Sequence, residues 1–179
     1  MKKYLVIGNP IKHSLSPTLH NHWFKTHNED AIYEKKKVEE NELEELILDV
    51  KNEKISGINV TVPFKNSVIK YLDELSIFAQ KTQSVNTIFK SKGKVCGHNT
   101  DCEGFVLSLI QTQFKTEGKI AFILGSGGVT SSIIYSLKAR KVSEIYVSNR
   151  TKQKAENLKK LFPEIKILDW GKKPNKFDI

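Results

Sequence analysis

The sequence predicts an α/β protein with two successive domains, and three observations support that prediction. Short apolar segments with strand character alternate along the chain with segments that have helical spacing. A glycine-rich turn, Gly125-Ser126-Gly127-Gly128, follows the almost wholly apolar segment 120–124. The pattern from there is strand, helix, strand, helix, strand, which is typical of half of a doubly wound parallel sheet. We therefore expect an N-terminal α/β domain over residues 1–100 and a parallel-sheet domain over residues 101–179.

Composition and charge limit the class of protein. The chain has 179 residues, 39% apolar and 27% charged, which is compatible with a packed core. No apolar run reaches the roughly 20 residues of a membrane-spanning helix, and the apolar stretch before Gly8 is too short for a secretory signal. The net charge is +9, but the lysines are scattered and form no basic helix. We expect a cytoplasmic protein that binds neither membrane nor nucleic acid.

Cysteine and histidine usage argues against disulfides and metal. Cys96 and Cys102 are too few for a disulfide framework, and we interpret them as reduced thiols. His20 and His22 lie two apart on a predicted helix and cannot share one face, so we expect no metal site with His13.

The elements of the first domain follow from periodicity and turn residues. Alternation and short apolar runs predict strands, and apolar residues three and four apart predict helices. Pro63 ends the third strand, and Ser91-Lys92-Gly93 is a hairpin signal. The expected strands are 4–7, 31–38, 58–62, 85–89 and 94–97, and the expected helices up to residue 114 are 17–26, 42–50, 65–72, 74–81 and 101–114.

The second domain has clearer signals. The segment 120–124 is apolar throughout, as expected for a strand covered on both faces of its sheet. The other expected strands are 144–148 and 165–168, with helices from the glycine turn to about 139 and over 151–161. Phe177-Asp178-Ile179 looks like the start of a further strand, and a parallel sheet that stopped there would leave an open edge. We therefore expect a sequence truncated at its C-terminus.

The glycine turn is a candidate dinucleotide-binding site of the Rossmann type. Free backbone N–H groups of Gly125-Ser126-Gly127-Gly128, at the start of a helix, suit a pyrophosphate. Thr130 stands where the third glycine of the usual fingerprint would be, so a tight structural turn remains the alternative.

The end of the next strand favours NADP over NAD. Asn149-Arg150-Thr151 lies about 20 residues on, where ribose specificity is set. NAD enzymes usually carry Asp or Glu there, whereas the Arg150 guanidinium, with Lys152 and Lys154 nearby, can hold a 2′-phosphate. The alternative is a solvated basic turn in which Thr151 caps the helix.

Three polar clusters in the first domain are candidate substrate contacts. Asn59 and Thr61 lie two apart on a predicted strand and point to one face, and Lys65 falls in the first turn of the predicted helix that follows. The positive helix end would disfavour the ammonium form of Lys65 and favour a role as proton acceptor, the alternative being an exposed lysine. Ser14-Leu15-Ser16-Pro17 precedes a helix and is suited to a carboxylate, and Asn99-Thr100-Asp101 also precedes one. Helix capping is the alternative for both.

The order of these motifs closely resembles that of the shikimate dehydrogenase family over essentially the whole chain. The motifs at 59–65 and 99–101 are specific to that family and its close relatives. In chain order the motifs are Ser14-Leu15-Ser16-Pro17, Asn59-Val60-Thr61-Val62-Pro63-Phe64-Lys65, Ser84-Val85-Asn86-Thr87, Gly97-His98-Asn99-Thr100-Asp101, Gly125-Ser126-Gly127-Gly128 and Asn149-Arg150-Thr151. The resemblance implies a substrate domain, an incomplete Rossmann-type NADP domain, and reversible NADPH-dependent reduction of 3-dehydroshikimate to shikimate on the route to aromatic amino acids.

The resemblance also implies residue roles. Ser14 and Ser16 would hold the shikimate carboxylate, Lys65 would exchange the proton of the reacting hydroxyl, and Asp101 would orient Lys65. The residues implied in substrate binding are Ser14, Ser16, Asn59, Thr61, Lys65, Asn86 and Asp101, and those implied in cofactor binding are Gly125, Ser126, Gly127, Gly128, Val129, Asn149, Arg150, Thr151 and Lys154.

The sequence departs from the family pattern, and two alternatives stay open. Val129 replaces the usual Ala, Ile77 stands where many relatives carry an acid, and the family continues beyond this chain with a substrate-binding Gln. The alternatives are a quinate/shikimate dehydrogenase that accepts NAD, against which Arg150 argues, and an inactive nucleotide-binding regulatory module, against which Lys65 and Asp101 argue. The expected partners are small molecules, and the expected state is a monomer or homodimer.

Overall fold

The computed structural model describes all 179 residues, Met1 to Ile179. The chain divides into two compact units, Met1–Asn99 and Thr100–Ile179, and each is built around its own sheet and apolar core. None of the helices combines the length and the apolar character needed to cross a membrane.

A mixed six-stranded sheet forms the first unit. Its strands are β1 (Lys2–Gly8), β2 (Ala31–Lys37), β3 (Gly57–Val60), β4 (Glu74–Leu75), β5 (Thr87–Ser91) and β6 (Lys94–His98). The strand order is β2-β1-β3-β5-β6-β4. Strand β1 is parallel to β2 and β3, whereas β5 is antiparallel to β3 and β6. The predicted hairpin is confirmed, since Lys92 and Gly93 both have positive φ in the tight turn between β5 and β6.

Three α-helices belong to this unit, namely α1 (Ser16–Thr26), α2 (Leu43–Lys51) and α3 (Ile77–Thr82), together with 3-10 helices at Glu40–Glu42 and Ser67–Tyr71. The face of α2 that packs in the core consists of aliphatic residues three and four apart, as its periodicity predicts: Leu43, Leu46, Ile47 and Val50. Full burial of such a side chain contributes about 1.5–3 kcal/mol, so this face anchors α2 in the core.

A parallel three-stranded sheet forms the second unit. Its strands are β7 (Ile120–Leu124), β8 (Glu144–Ser148) and β9 (Lys166–Leu168), in that order, and its helices are α4 (Asp101–Gln111), α5 (Thr130–Ala139) and α6 (Lys152–Leu161). The chain also runs beside the other edge of β7, where Ile179 N–H and Asp178 N–H both donate to Ile120 C=O and Phe122 N–H donates to Ile179 C=O at 2.8 Å. The predicted alternation of parallel strands and helices is confirmed.

Two differences from the predicted elements affect the candidate site. Residues 62–66 form a turn before the 3-10 helix, because Val85 N–H donates to Lys65 C=O at 2.7 Å and removes that carbonyl from any helical ladder. The prediction of an α-helix over 65–72 is therefore wrong, and so is the argument that a helix end disfavours the ammonium form of Lys65. Strand β3 ends at Val60, so Thr61 follows the strand, although its N–H still donates to Ile7 C=O.

Two other expectations are also corrected. The helix predicted over 74–81 is not observed as such. Glu74 and Leu75 form β4, which pairs with β6, and α3 starts only at Ile77. Full coverage of β7 is not observed either: Ala121 is buried, but Leu124, at the carboxyl end next to the glycine turn, is 67% exposed.

Candidate active site

The carboxyl ends of β1 and β3 bring the first group of predicted site residues together. Gly8 ends β1, and a Cβ placed there would lie 2.6 Å from Thr61 Cγ2 and 3.0 Å from Val62 C=O, so the close approach requires glycine. Asn9 N–H donates to Val62 C=O at 3.0 Å. The segment that carries Thr61 is thus packed against the end of β1.

Asn59 lies at the centre of a hydrogen-bond network beside this point. Tyr33 Oη donates to Asn59 Oδ1 at 2.7 Å, and Asn59 Nδ2 donates to Asn86 C=O and to Thr87 Oγ1, each at 3.2 Å. The Thr87 hydroxyl in turn donates to Asn86 Oδ1 at 3.0 Å. The network links β2, β3 and the start of β5 and orients the Asn86 side chain, which is buried.

Tyr33 extends the network to the serine motif. Burial raises the pKa of Tyr33 to about 12, while a hydrogen bond with Ser16 acts in the opposite direction. Ser14 Oγ donates to Ser16 Oγ at 3.2 Å. Leu15 occupies the N-cap position of α1, but Ser14 Oγ accepts the N–H of Ser16, the first helical residue, at 3.4 Å. The capping alternative is therefore supported in part for Ser14, and both hydroxyls also belong to the same polar cluster as Asn59.

Backbone hydrogen bonds hold Lys65 close to Asn86. Val85 N–H donates to Lys65 C=O, Val60 N–H donates to Asn86 C=O at 2.9 Å, and Asn86 N–H donates to His98 C=O at 3.0 Å. Lys65 is half-buried in the turn that follows β3. The first unit thus links Ser14, Ser16, Asn59 and Asn86 through one hydrogen-bond network. It places Thr61 and Lys65 directly after β3, where backbone bonds join them to β1 and to the segment before β5.

The motif Asn99-Thr100-Asp101 has a different local role from the capping that was considered. Asn99 is fully buried and donates to Thr82 Oγ1 at 3.0 Å and to Ser84 C=O at 2.9 Å. Thr100 occupies the N-cap position of α4 without a side-chain capping bond, and Asp101 is the first helical residue. Asn99 therefore anchors the chain after β6, and Asp101 is presented half-buried at a helix start.

The glycine turn of the second unit has open space and an unpartnered hydroxyl. Gly125 has a φ of 114°, which L side chains rarely adopt, and a Cβ on Gly127 would meet nothing within 4 Å. Ser126 N–H donates to Asn149 Oδ1 at 3.1 Å and Gly125 N–H donates to Ser148 C=O at 2.8 Å, so the turn is tied to the end of β8. Ser126 Oγ is buried and has no hydrogen-bond partner within the protein. The open space and the unpartnered hydroxyl fit a dinucleotide pyrophosphate. The prediction that the N–H groups of this turn are free is wrong for Gly125 and Ser126, because both are bonded to the end of β8.

Basic residues follow β8 beside this turn. Arg150 is exposed and forms no ion pair, Lys154 is exposed, and Lys152 Nζ lies 3.6 Å from Asp169 Oδ1. Thr151 is at the N-cap position of α6, but its side chain makes no capping bond, so the capping alternative is not supported there. The free guanidinium fits a phosphate on the adenosine ribose.

A cavity of about 260 Å³ adjoins the turn. It is lined by Leu124, Gly125, Asn149, Arg150 and Trp170. Sequence reasoning missed Trp170, which lies in a short turn after β9, and it also missed Tyr33 and Thr87 in the first unit. Tyr33 could have been noticed as a hydroxyl-bearing residue in the apolar half of a predicted strand. Its hydrogen bond to Asn59 was not predictable, because it depends on β1 lying between β2 and β3.

No group of three or more His, Cys, Asp or Glu side chains is arranged to hold a metal ion. Cys96 and Cys102 are both free thiols.

Two family models match the chain, one for each unit. Residues 6–88 match the shikimate dehydrogenase substrate binding domain, and residues 108–171 match shikimate / quinate 5-dehydrogenase. The shikimate dehydrogenase (NADP(+)) of Pelagibacter ubique is 56% identical over 170 residues, which are 95% of this chain and 64% of that protein.

Solved structures agree in fold. The crystal structure of shikimate dehydrogenase from Aquifex aeolicus has a TM-score of 0.86 at 36% identity, over 94% of this chain and 62% of that one. Shikimate 5-dehydrogenase from Thermus thermophilus, in complex with NADP(H) and shikimate, has a TM-score of 0.81 at 30% identity, over 94% and 63% respectively.

This chain spans less than two thirds of the length of these relatives. Its two units nevertheless match the family in order, in fold and in sequence. The chain therefore belongs to the shikimate dehydrogenase family.

Proposed function

We propose that this chain carries the substrate- and cofactor-binding units of an NADP-dependent shikimate dehydrogenase, which interconverts shikimate and 3-dehydroshikimate. The observation that carries the proposal is the hydrogen-bonded cluster of Ser14, Ser16, Tyr33, Asn59 and Asn86 in a unit that belongs to this family. A compact polyhydroxylated acid needs several fixed hydroxyl and amide groups at close range, and this cluster supplies them.

The two serines would bind the substrate carboxylate. Their hydroxyls are half-buried at the start of α1, and rotation of the Ser14 hydroxyl away from Ser16 would let each donate its one hydrogen to an anion. This contact is remote from the reacting carbon and would contribute binding and orientation rather than chemistry.

The ring hydroxyls would be held by Asn59, Thr61 and Asn86. Asn86 is oriented by Thr87, and Thr61 is packed on Gly8, so both side chains are fixed before substrate binds. Such fixed contacts reduce the entropic cost of reaching the reactive geometry.

Lys65 would move the proton of the reacting hydroxyl. Bound NADP(H) supplies or accepts the hydride, which leaves one proton for the protein to transfer. The Lys65 amine would accept it during oxidation and return it during reduction, a role worth about 10²- to 10⁴-fold in rate. Asp101, the first residue of α4, is the second proposed acid–base residue.

The cofactor would bind along the carboxyl ends of β7 and β8. The turn Gly125-Ser126-Gly127-Gly128 and the unpartnered Ser126 hydroxyl would bind the pyrophosphate, with Val129 beside them, while the N–H groups of Gly125 and Ser126 stay bonded to the end of β8. Arg150 and Lys154 would bind the 2′-phosphate, whereas Asn149 and Thr151 would shape the ribose site, helped by the bond from Asn149 Nδ2 to Thr151 C=O at 2.7 Å.

The reaction would serve aromatic amino acid biosynthesis. We propose shikimate and NADP as the partners, a cytoplasmic location, and a monomeric or homodimeric state. We further propose that these partners are small molecules only, with no nucleic acid and no membrane among them.

The experiment is shikimate-dependent reduction of NADP⁺, followed by the absorbance of NADPH. It uses this chain alone and this chain extended by the part of the P. ubique enzyme that lies outside the match. We expect reduction with shikimate and much slower reduction with quinate or with NAD⁺. The matched pair of variants is Lys65→Ala, which should lose activity, and Lys70→Ala, an exposed lysine of the following 3-10 helix that should retain it. Equal activity in the two variants would remove Lys65 from the mechanism.

A further inference from the structure

Trp170 exposes a large aromatic surface beside the candidate cofactor site. The indole follows β9 and is 59% exposed, and Leu124 at the end of β7 is 67% exposed. Both side chains line the cavity of about 260 Å³ that also contains Asn149 and Arg150. Apolar surface and a guanidinium in one concave site suit a flat, heteroaromatic ring that carries a phosphate nearby.

The turn that carries Trp170 is fixed by hydrogen bonds. Lys172 N–H donates to Asp169 C=O at 3.0 Å and closes a four-residue turn in which Gly171 has a φ of 82°. The buried Ser148 hydroxyl donates to the same Asp169 carbonyl at 3.1 Å, which ties the turn to the end of β8. The indole is therefore carried by a preorganised segment, which lowers the entropic cost of stacking a ligand on it.

Strand order determines which part of a dinucleotide can reach Trp170. The parallel strands β7, β8 and β9 are neighbours in that order, so their carboxyl ends follow one another at intervals of about 4.8 Å. The proposed pyrophosphate site follows β7, and the proposed 2′-phosphate site at Arg150 follows β8. Adenine is attached to the ribose that bears the 2′-phosphate, so it extends from Arg150 toward the end of β9, where Trp170 lies.

We propose that Trp170 is the adenine-binding residue of this chain, and that the purine stacks on its indole face in the cavity that Arg150 and Leu124 also line. The inference rests on the proposed function, since it takes NADP(H) to be the ligand. A purine stacks on an indole through dispersion and apolar contact, and this contact adds affinity without using the nicotinamide half.

The test uses adenosine 2′,5′-bisphosphate, which has the adenine and the 2′-phosphate but no nicotinamide. Its affinity and that of NADP⁺ are measured by calorimetry on the full 179-residue chain. Because stacking on an aromatic side chain is worth about 1–3 kcal/mol per base, Trp170→Ala should weaken both ligands by the same factor, about 5- to 150-fold. Trp170→Phe should retain most of the affinity. In a Trp23→Phe background Trp170 is the only tryptophan, and the bisphosphate should quench its fluorescence.

Controls separate this inference from the proposed function. Phe177→Ala removes another exposed aromatic ring of the same unit, outside the cavity, and should leave the bisphosphate affinity unchanged. Shikimate affinity and the circular dichroism spectrum should be the same in Trp170→Ala and wild type.

If wild type bound the bisphosphate and Trp170→Ala bound it equally well, the assignment of Trp170 to adenine would be wrong, whereas NADP would remain the proposed cofactor. If NADP⁺ alone were weakened, Trp170 would contact the nicotinamide half and the assignment would also be wrong. Failure of wild type to bind either ligand would overturn both proposals.

Discussion

Replacing Tyr33 with Phe should make the stability of the first unit depend differently on pH. The Tyr33 hydroxyl donates to Asn59 Oδ1 at 2.7 Å, and the side chain is 3% exposed. Removal of the hydroxyl leaves the half-buried Asn59 Oδ1 without this partner, which should cost about 1 kcal/mol of unfolding free energy near neutral pH. The His20 ring, which stacks on Tyr33 at 4.3 Å, can stack on Phe equally well, so the change isolates the hydroxyl.

The pKa of Tyr33 sets the sign and size of the pH effect. It is raised from 10.0 to about 12, so the fold favours the neutral phenol. The unfolded chain loses that proton first as the pH rises above about 10, and the stabilisation that Tyr33 contributes below this pH is progressively lost up to about pH 12. Two pKa units correspond to about 2.7 kcal/mol, of which about 1.4 kcal/mol should be lost at about pH 11.

Urea unfolding of wild type and Tyr33→Phe at about pH 8 and pH 11 measures this difference. A Trp170→Phe background leaves Trp23, which lies in the same unit as Tyr33, as the only tryptophan reporter. The stability advantage of wild type over the variant should shrink by about 1.4 kcal/mol at the higher pH. An advantage that is the same at both values would mean that the fold does not hold Tyr33 in its neutral form.

Three further changes test the site on the extended enzyme. Arg150→Asp should weaken the binding of NADP⁺ far more than that of NAD⁺, because it replaces a phosphate-binding cation by a repulsive charge. If calorimetry showed equal losses of affinity for the two, Arg150 would not bind the 2′-phosphate. The double variant Ser14→Ala, Ser16→Ala should have a higher KM for shikimate and nearly the same kcat, since the lost contacts are remote from the reacting carbon. A fall in kcat at unchanged KM would contradict the proposal that these serines bind the carboxylate. Lys65→Ala and Asp101→Asn should each lower kcat, and Lys65→Ala should lower it by about 10²- to 10⁴-fold. In the double variant kcat should fall by much less than the product of the two single effects, and a fall equal to that product would indicate independent roles.

Local patterns were sufficient for much of the fold. The bounds of β7 and β8 match the predicted segments 120–124 and 144–148, because each is a short apolar or alternating run bounded by turn residues. The hairpin of β5 and β6 was predictable for the same reason, since its turn residues carry the signal.

Features that depend on distant residues were not predictable. The turn at Lys65 exists because Val85, twenty residues later, takes its carbonyl group, and no local propensity encodes that bond. Likewise, Tyr33 reaches Asn59 only because of the order of the strands. Trp170 lies near Asn149 and Arg150 only because β9 pairs with β8. The predicted site residues stand in contiguous motifs, whereas Tyr33 and Trp170 are brought to the site by topology. Thr87 stands in such a motif, but its bond to Asn59 depends on the pairing of β3 with β5.

The most direct measurement of the central claim is NADPH formation by the extended enzyme with shikimate and NADP⁺, compared in parallel with Lys65→Ala. We expect NADPH formation to depend on shikimate, to be strongly reduced with quinate or NAD⁺, and to be lost in Lys65→Ala while calorimetry still detects shikimate binding. The proposed function would be contradicted by a folded protein that binds shikimate and NADP⁺ but forms no NADPH. Equal NADPH formation by wild type and Lys65→Ala would contradict the proposed role of Lys65.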